Sequence, residues 1–378
     1  MDTLHVVVCG GGRTGHLNAI LYKQVPGVRV SLFTHQRAVI DAHRHSDAGF
    51  TALLPDGKSL SARMDAVSDD AASVLADADV VVITVPAHAR AALLQEMAPH
   101  LPTGKPVYVG AIPGFCGFDW LAETLLAGRP NAVIWGMKDV PHTAYDLQAG
   151  VRVTLGGAKS TLHVATHARE TRAARRRVQE LVQRLYESPV ELLNHYLEIT
   201  LTPGNPIMHS SVVYGLVGPY GQWHARPLPQ PVCWWTECTE LGAYFLERSD
   251  EENQRLRKAV EQRLKLDLSS VKPLKQEIIE AYGEQIRDPR TMLSVLRTNQ
   301  AYDAILAPLV PVDGGYLIDK NSRAFQEDVA CGLATLVQMA RRLELHLPHI
   351  EEIFGWSVSY MGGVRHSARD HFPTHWPA

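Results

Sequence analysis

Two groups of residues in this chain have the types and spacing that chemistry demands. The first is Gly10-x-Gly12-x-x-Gly15, which follows Val6-Val7-Val8-Cys9 directly. Glycines at this spacing let a strand turn tightly into a helix, let backbone approach a pyrophosphate, and let helix pack on strand. The N–H groups and dipole of the helix start then receive phosphates. Gly10, Gly12, Arg13, Thr14 and Gly15 are therefore the candidate dinucleotide contacts. The second group consists of His209, in Pro203-Gly204-Asn205-Pro206-Ile207-Met208-His209, and of Arg323 and Asp328, at the start of an apolar helical run. Each also has an ordinary reading. A histidine among apolar residues on the first turns of a helix can be structural, and an acid at a helix start complements the dipole.

The elements that must hold these residues are legible in part. Residues 28–33, Val-Arg-Val-Ser-Leu-Phe, supply the second strand of a βαβ unit. An NAD site usually carries Asp or Glu at the end of this strand, on the ribose 2′-hydroxyl. Here Thr34-His35-Gln36-Arg37 stands there, with no acid and one guanidinium able to hold a phosphate. Thr34 and Arg37 thus favour NADP(H), with NAD(H) the alternative; Arg37 also reads as the start of a solvated helix. The run 79–86 is a strand that ends in Thr84-Val85-Pro86 and enters a helix over 87–98, which places Pro86 at the crevice where doubly wound sheets bind ligands. Further strands are expected at 106–110, 132–135, 151–155 and 189–193, a hairpin over 49–64 on one edge of the sheet, and a long helix over 166–186. From about residue 195 the β-branched runs vanish and helical periods dominate, over 237–264, 274–282, 291–299, 323–343 and 349–354. The expected fold is an α/β Rossmann-like doubly wound parallel sheet, residues 1–192, followed by an all-helical C-terminal domain, residues 193–378. Substrate is expected in the cleft between the two. The His- and Pro-rich stretch after Gly363 reads as a loosely ordered tail.

Composition bounds the function class. With 378 residues, 46% hydrophobic and 20% charged, the chain suits two globular domains. A net charge of −3 speaks against a nucleic-acid binder, and the basic run 172–177 reads as a solvated helix face. Five cysteines without paired spacing indicate neither a disulfide framework nor a metal site. The absence of a signal segment or an apolar run of membrane length makes a cytoplasmic protein the expectation.

Taken together the motifs resemble the octopine/nopaline (opine) dehydrogenase family: Gly10-Gly11-Gly12-x-x-Gly15-His16, Asp77-Ala78-Asp79-Val80-Val81-Val82 through Val85-Pro86-Ala87, Asn205-x-x-x-His209, Val312-Asp313-Gly314-Gly315, and Arg323-x-x-x-Glu327-Asp328-Val329. They occur in the family's order and cover residues 4 to about 360. The resemblance implies a reductive condensation: an amino acid's amine attacks the carbonyl of a 2-oxo acid, water leaves, and NAD(P)H reduces the imine. It further implies that His209 is the catalytic histidine, Asp328 its partner carboxylate and Arg323 the guanidinium for a substrate carboxylate. The partners implied are an amino acid and a 2-oxo acid, with a homodimer allowed.

Departures from the pattern bear on the substrate pair. Ser210 and Ala330 stand where the family often has proline, and Arg13 where relatives commonly have a small or amide residue. The segment Ile112-Pro113-Gly114-Phe115-Cys116-Gly117 adds bulk where the oxo acid is expected, so pyruvate is not implied. Two alternatives share the plan. One is a ketopantoate-reductase-like or 2-hydroxy acid dehydrogenase; enzymes that resemble ketopantoate reductase use a lysine with Glu and Asn, and no comparably placed lysine is found. A non-catalytic dinucleotide-binding protein would have no use for His209, Arg323 and Asp328 together.

Overall fold

The computed structural model describes residues 3–219 and 226–377. Its chain divides into two units, Met1–Thr200 and Leu201–Ala378. The division falls somewhat after residue 192 because a short helix, Leu197–Thr200, closes the first unit.

The first unit alternates strand and helix. Its elements begin β1 (Leu4–Cys9), α1 (Arg13–Lys23), β2 (Val28–Phe33), α2 (Arg37–His45), β3 (Phe50–Leu53), β4 (Ser59–Ala62), β5 (Ala66–Ser68), α3 (Ala71–Leu75) and β6 (Val80–Ile83). They continue with α4 (Ala87–Met97), β7 (Val107–Ala111), α5 (Phe118–Leu125), β8 (Ala132–Met137), β9 (His142–Gln148) and β10 (Arg152–Ala158), and end with β11 (Leu162–Thr166), α6 (Arg172–Leu185), β12 (Val190–Leu192) and α7 (Leu197–Thr200). Eight strands form one sheet in the order β12-β11-β8-β7-β6-β1-β2-β5. All neighbours run parallel except β8 and β11. Every residue of β1 and β6 is buried, as continuous valine runs covered on both faces require. The strand order reverses between β1 and β6, so a crevice opens at their carboxyl ends.

Two local expectations are corrected here. The 49–64 hairpin does not extend the main sheet; with β9 and β10 it forms a separate sheet, β4-β3-β10-β9. The half-exposed patterns of β3 and β4 explain this, because such strands need cover on one face only. Residues 162–166 are strand, and α6 starts only at Arg172, where the Thr171 hydroxyl caps it by accepting from the Ala174 N–H at 3.1 Å.

The second unit is helical: α8 (Gly204–Val217), α9 (Glu240–Leu264), α10 (Leu274–Tyr282), α11 (Met292–Thr298), α12 (Arg323–Gln326), α13 (Ala334–Arg342) and α14 (Pro348–Met361). One antiparallel hairpin, β13 (Leu309–Val312) and β14 (Gly315–Ile318), is added to it. The helix expected over 323–343 is interrupted by a π-helical stretch, Asp328–Leu333. There the Gly332 N–H reaches the Glu327 carbonyl five residues back, and the Cys331 N–H bonds the same oxygen, both at 3.0 Å. The C-terminal stretch is also corrected, since it packs rather than trails. Ser367 Oγ donates to the Ala330 carbonyl (2.8 Å), Arg369 lies 4.6 Å over the Phe354 ring, and Arg342 donates to the Thr374 carbonyl (2.9 Å). Among the described residues no helix is long and apolar enough to cross a membrane.

Candidate active site

In the first unit the crevice is built from backbone. Gly10 has φ +130°, and a Cβ there would stand 2.6 Å from Thr84 Oγ1, whose hydroxyl donates to the Cys9 carbonyl at 3.1 Å. A Cβ on Gly15 would collide with the Gly10 carbonyl, whereas one on Gly12 would meet nothing within 4 Å. Gly12 caps α1 without a side chain, Arg13 is exposed and Thr14 half-buried. Open space above an uncapped helix start fits a pyrophosphate. His16, quoted in the motif but given no role there, holds this loop. It is fully buried; its Nε2 accepts the Gly150 N–H at 2.9 Å, so Nδ1 carries the proton donated to the Gly12 carbonyl at 3.1 Å. Burial holds its pKa down, which keeps that tautomer neutral.

At the end of β2, Thr34 is buried and its hydroxyl accepts the Gln36 N–H at 3.2 Å. Arg37 is 65% exposed, and its guanidinium lies 3.6 Å from Asp69. Strand β2 itself carries no acid at its end, but the neighbouring β5 pairs Phe33 with Ser68 and so delivers Asp69 to the same place. That arrival across a strand pair is invisible to spacing along one strand.

The loop that ends in Pro86 is held by Arg90, a second missed residue. Only 1% exposed, Arg90 donates to the carbonyls of Val85 (3.3 Å), Phe115 (3.0 Å) and Pro113 (2.8 Å), and faces the rings of Phe115 and Phe118. It thereby ties the ends of β6 and β7 together. The available signal was an arginine in register with Leu93, Leu94 and Met97 on the buried face of α4. Nearby, Asp119 is buried at the start of α5, and desolvation pushes its carboxyl up to about 8.

In the second unit the arrangement rests on side chains. His209 sits on the second turn of α8, after the Pro203-Gly204 break. Its Nδ1–H donates to Asp328 Oδ2 at 2.8 Å across 119 residues of sequence. The Asp328 side chain is 2% exposed, that of His209 22%. Burial raises the Asp328 pKa, His209 opposes that rise, and the neighbouring Glu327 adds to it. A desolvated carboxylate of this kind is a strong acceptor, so it fixes the imidazole tautomer and leaves Nε2 for chemistry. Two further residues that spacing did not mark wall the ring: the centroids of Trp234 and Trp235 lie 4.5 and 5.5 Å from that of His209. Their signal was an adjacent aromatic pair in a segment with no helical period. Arg323, 60% exposed, donates to Glu327, from Nε at 2.7 Å and also from a terminal nitrogen. Among the described residues no group of three or more metal-ligating side chains is assembled.

Comparison with known proteins places this architecture. The model for the alpha-helical domain of NAD/NADP octopine/nopaline dehydrogenase matches residues 192–361. The uncharacterized protein y4xO of Sinorhizobium fredii is 54% identical over 376 residues, 99% of each chain. Octopine dehydrogenase of Mizuhopecten yessoensis is 26% identical over 96% of this chain and 91% of its own. A solved octopine dehydrogenase with NADH and L-arginine shares the fold at a TM-score of 0.84 and 24% identity, covering 95% of this chain and 90% of that one. The helical-domain match begins where the sheet unit gives way to helices, and the alignments run through both units. On this footing the chain belongs to the octopine/nopaline dehydrogenase family.

Proposed function

We propose that this protein is an opine dehydrogenase, which condenses an amino acid with a 2-oxo acid reductively and releases an N-carboxyalkyl amino acid. The observation that carries the reading is the 2.8 Å bond from His209 to a buried Asp328. In this scheme His209 takes a proton from the substrate ammonium group, so that the free amine adds to the carbonyl carbon. After the added nitrogen passes a proton to the carbonyl oxygen, the protonated imidazole returns a proton to the resulting carbinolamine hydroxyl, which departs as water and leaves the protonated imine. Asp328 holds the ring in one tautomer and stabilises the imidazolium while it exists. Arg323 binds the carboxylate of the oxo acid, because its planar fork matches two oxygens.

A nicotinamide dinucleotide, when bound, supplies the hydride that reduces the imine carbon. Gly10, Gly12 and Gly15 give its pyrophosphate room, with Arg13 and Thr14 at the start of α1, and Pro86 borders the crevice. Arg37 supports NADP(H), since a 2′-phosphate would replace Asp69 as its partner. NAD(H) is the alternative that Asp69 itself would favour.

The test is oxidation of NADPH and of NADH, followed by absorbance, against amino acids crossed with 2-oxo acids. Turnover that requires both substrates together is expected. Turnover with an oxo acid alone would replace this reading by a hydroxy-acid dehydrogenase.

A further inference from the structure

Next to Asp328 stands a second buried carboxylate with no part in the scheme above. The Glu327 side chain is 1% exposed, yet it belongs to an ion pair whose other member, Arg323, is 60% exposed. Such a pair is a poor device for stability, because desolvating the carboxylate offsets most of the attraction. Its geometry is more informative. Nε and one terminal nitrogen of Arg323 both donate to Oε2 of Glu327. A guanidinium has five N–H donors, so this use of its side edge leaves the outer edge, formed by the two terminal nitrogens, to meet a carboxylate in a bidentate way.

The backbone explains how adjacent acids serve different partners. Glu327 lies one turn beyond Arg323, on the same helix face. At Glu327 the ladder widens, its carbonyl accepting from both Cys331 and Gly332, and Asp328 opens the π stretch facing His209. Single π turns of this kind recur at functional sites. One dipeptide therefore anchors both the guanidinium and the imidazole.

Resting on the functional reading above, we infer that Glu327 is the positioning residue of Arg323: it holds the outer edge of the guanidinium ready for the carboxylate of the 2-oxo acid. A free arginine at the exposed start of a four-residue helix would have to be ordered at each binding event. Glu327 orders it beforehand.

The test is steady-state kinetics on E327Q, E327D, R323A and the double variant R323A/E327Q, with thermal melting and cofactor titration as folding controls. E327Q should raise the KM of the oxo acid roughly 10-fold or more while changing kcat and the cofactor KM little, as loss of a preorganised clamp requires. E327D should restore part of the loss, and the double variant should be no worse than R323A alone, because the two residues act as one unit. Equal effects on all KM values, or additivity of the two substitutions, would overturn the inference. If E327Q fails to fold, E327D and its cycle with R323A measure the same coupling. If the wild-type protein turns over no substrate pair, the functional reading alone falls. The clamp is then judged by proton–nitrogen correlation spectra: slow exchange of the Arg323 Nε–H, lost in E327Q, supports it, and fast exchange in the wild type refutes it.

Discussion

The glycine crevice of the first unit and the histidine cluster of the second are built on opposite principles. At Gly12 the crevice works by the absence of side chains, and at the start of α1 it presents bare backbone N–H groups. The cluster works by buried charge: two consecutive carboxylates, each 1% exposed as residues, each holding one cationic or cationisable group. Backbone geometry follows from local spacing and tolerates little substitution. Side-chain charge is assembled from distant segments, and its members can be removed one at a time.

The largest effect that sharpens this contrast should come from His209. His209→Ala is expected to lower kcat by about 1,000-fold, the usual range for loss of a general acid–base, with the dinucleotide Kd unchanged. Equal loss of cofactor binding would break the separation of roles. In the crevice, Gly12→Ala and Gly15→Ala should part company. The first meets no protein atom and should melt normally while weakening dinucleotide binding by roughly 10-fold or more. The second forces a collision with the Gly10 carbonyl and should lower Tm even without cofactor. Calorimetry and titration on both variants read this out.

A smaller effect is expected at Arg37. Arg37→Ala should reduce the NADPH over NADH preference by about 10-fold, the scale of one charge-assisted contact, and Asp69→Asn should increase it. An unchanged ratio in both variants would remove the argument for NADP(H). The smallest concerns stability alone. Because Asp119 ionises near 8 when folded and near 3.8 when unfolded, the folded state binds the extra proton between these values. Stability from this group is therefore present at low pH and is lost as pH rises toward 8. Asp119→Asn should raise Tm by a few degrees at pH 8 and by progressively less toward pH 4, on the scale of one relieved buried charge. A gain independent of pH would assign the effect to packing instead.

How much was legible varies with the distance over which each feature is specified. The βαβ start, the strand ending in Pro86 and the helix 274–282 were readable because valine runs, glycine spacing and helical period act over a few residues. The 49–64 hairpin was readable as a hairpin but not as part of a second sheet, since its pairing with β10 lies about a hundred residues away. Arg90 was not singled out in the sequence, because the three carbonyls that accept from it come from two loops.

By itself, then, the sequence determined the glycine loop, the order of elements and the change from sheet to helix, all of which local sterics and hydrophobic periodicity dictate. It also supplied the residue types of the cluster. The resemblance implies that Asp328 partners His209; the tertiary structure alone showed the 2.8 Å contact between them and the turn of Arg323 to Glu327. Asp328 faces His209 and Arg323 turns to Glu327 because a π stretch sets the direction of two neighbouring carboxylates, and Asp69 reaches Arg37 because β5 lies beside β2. Such encounters are fixed by burial and strand pairing between segments far apart in sequence, and no spacing along the chain encodes them.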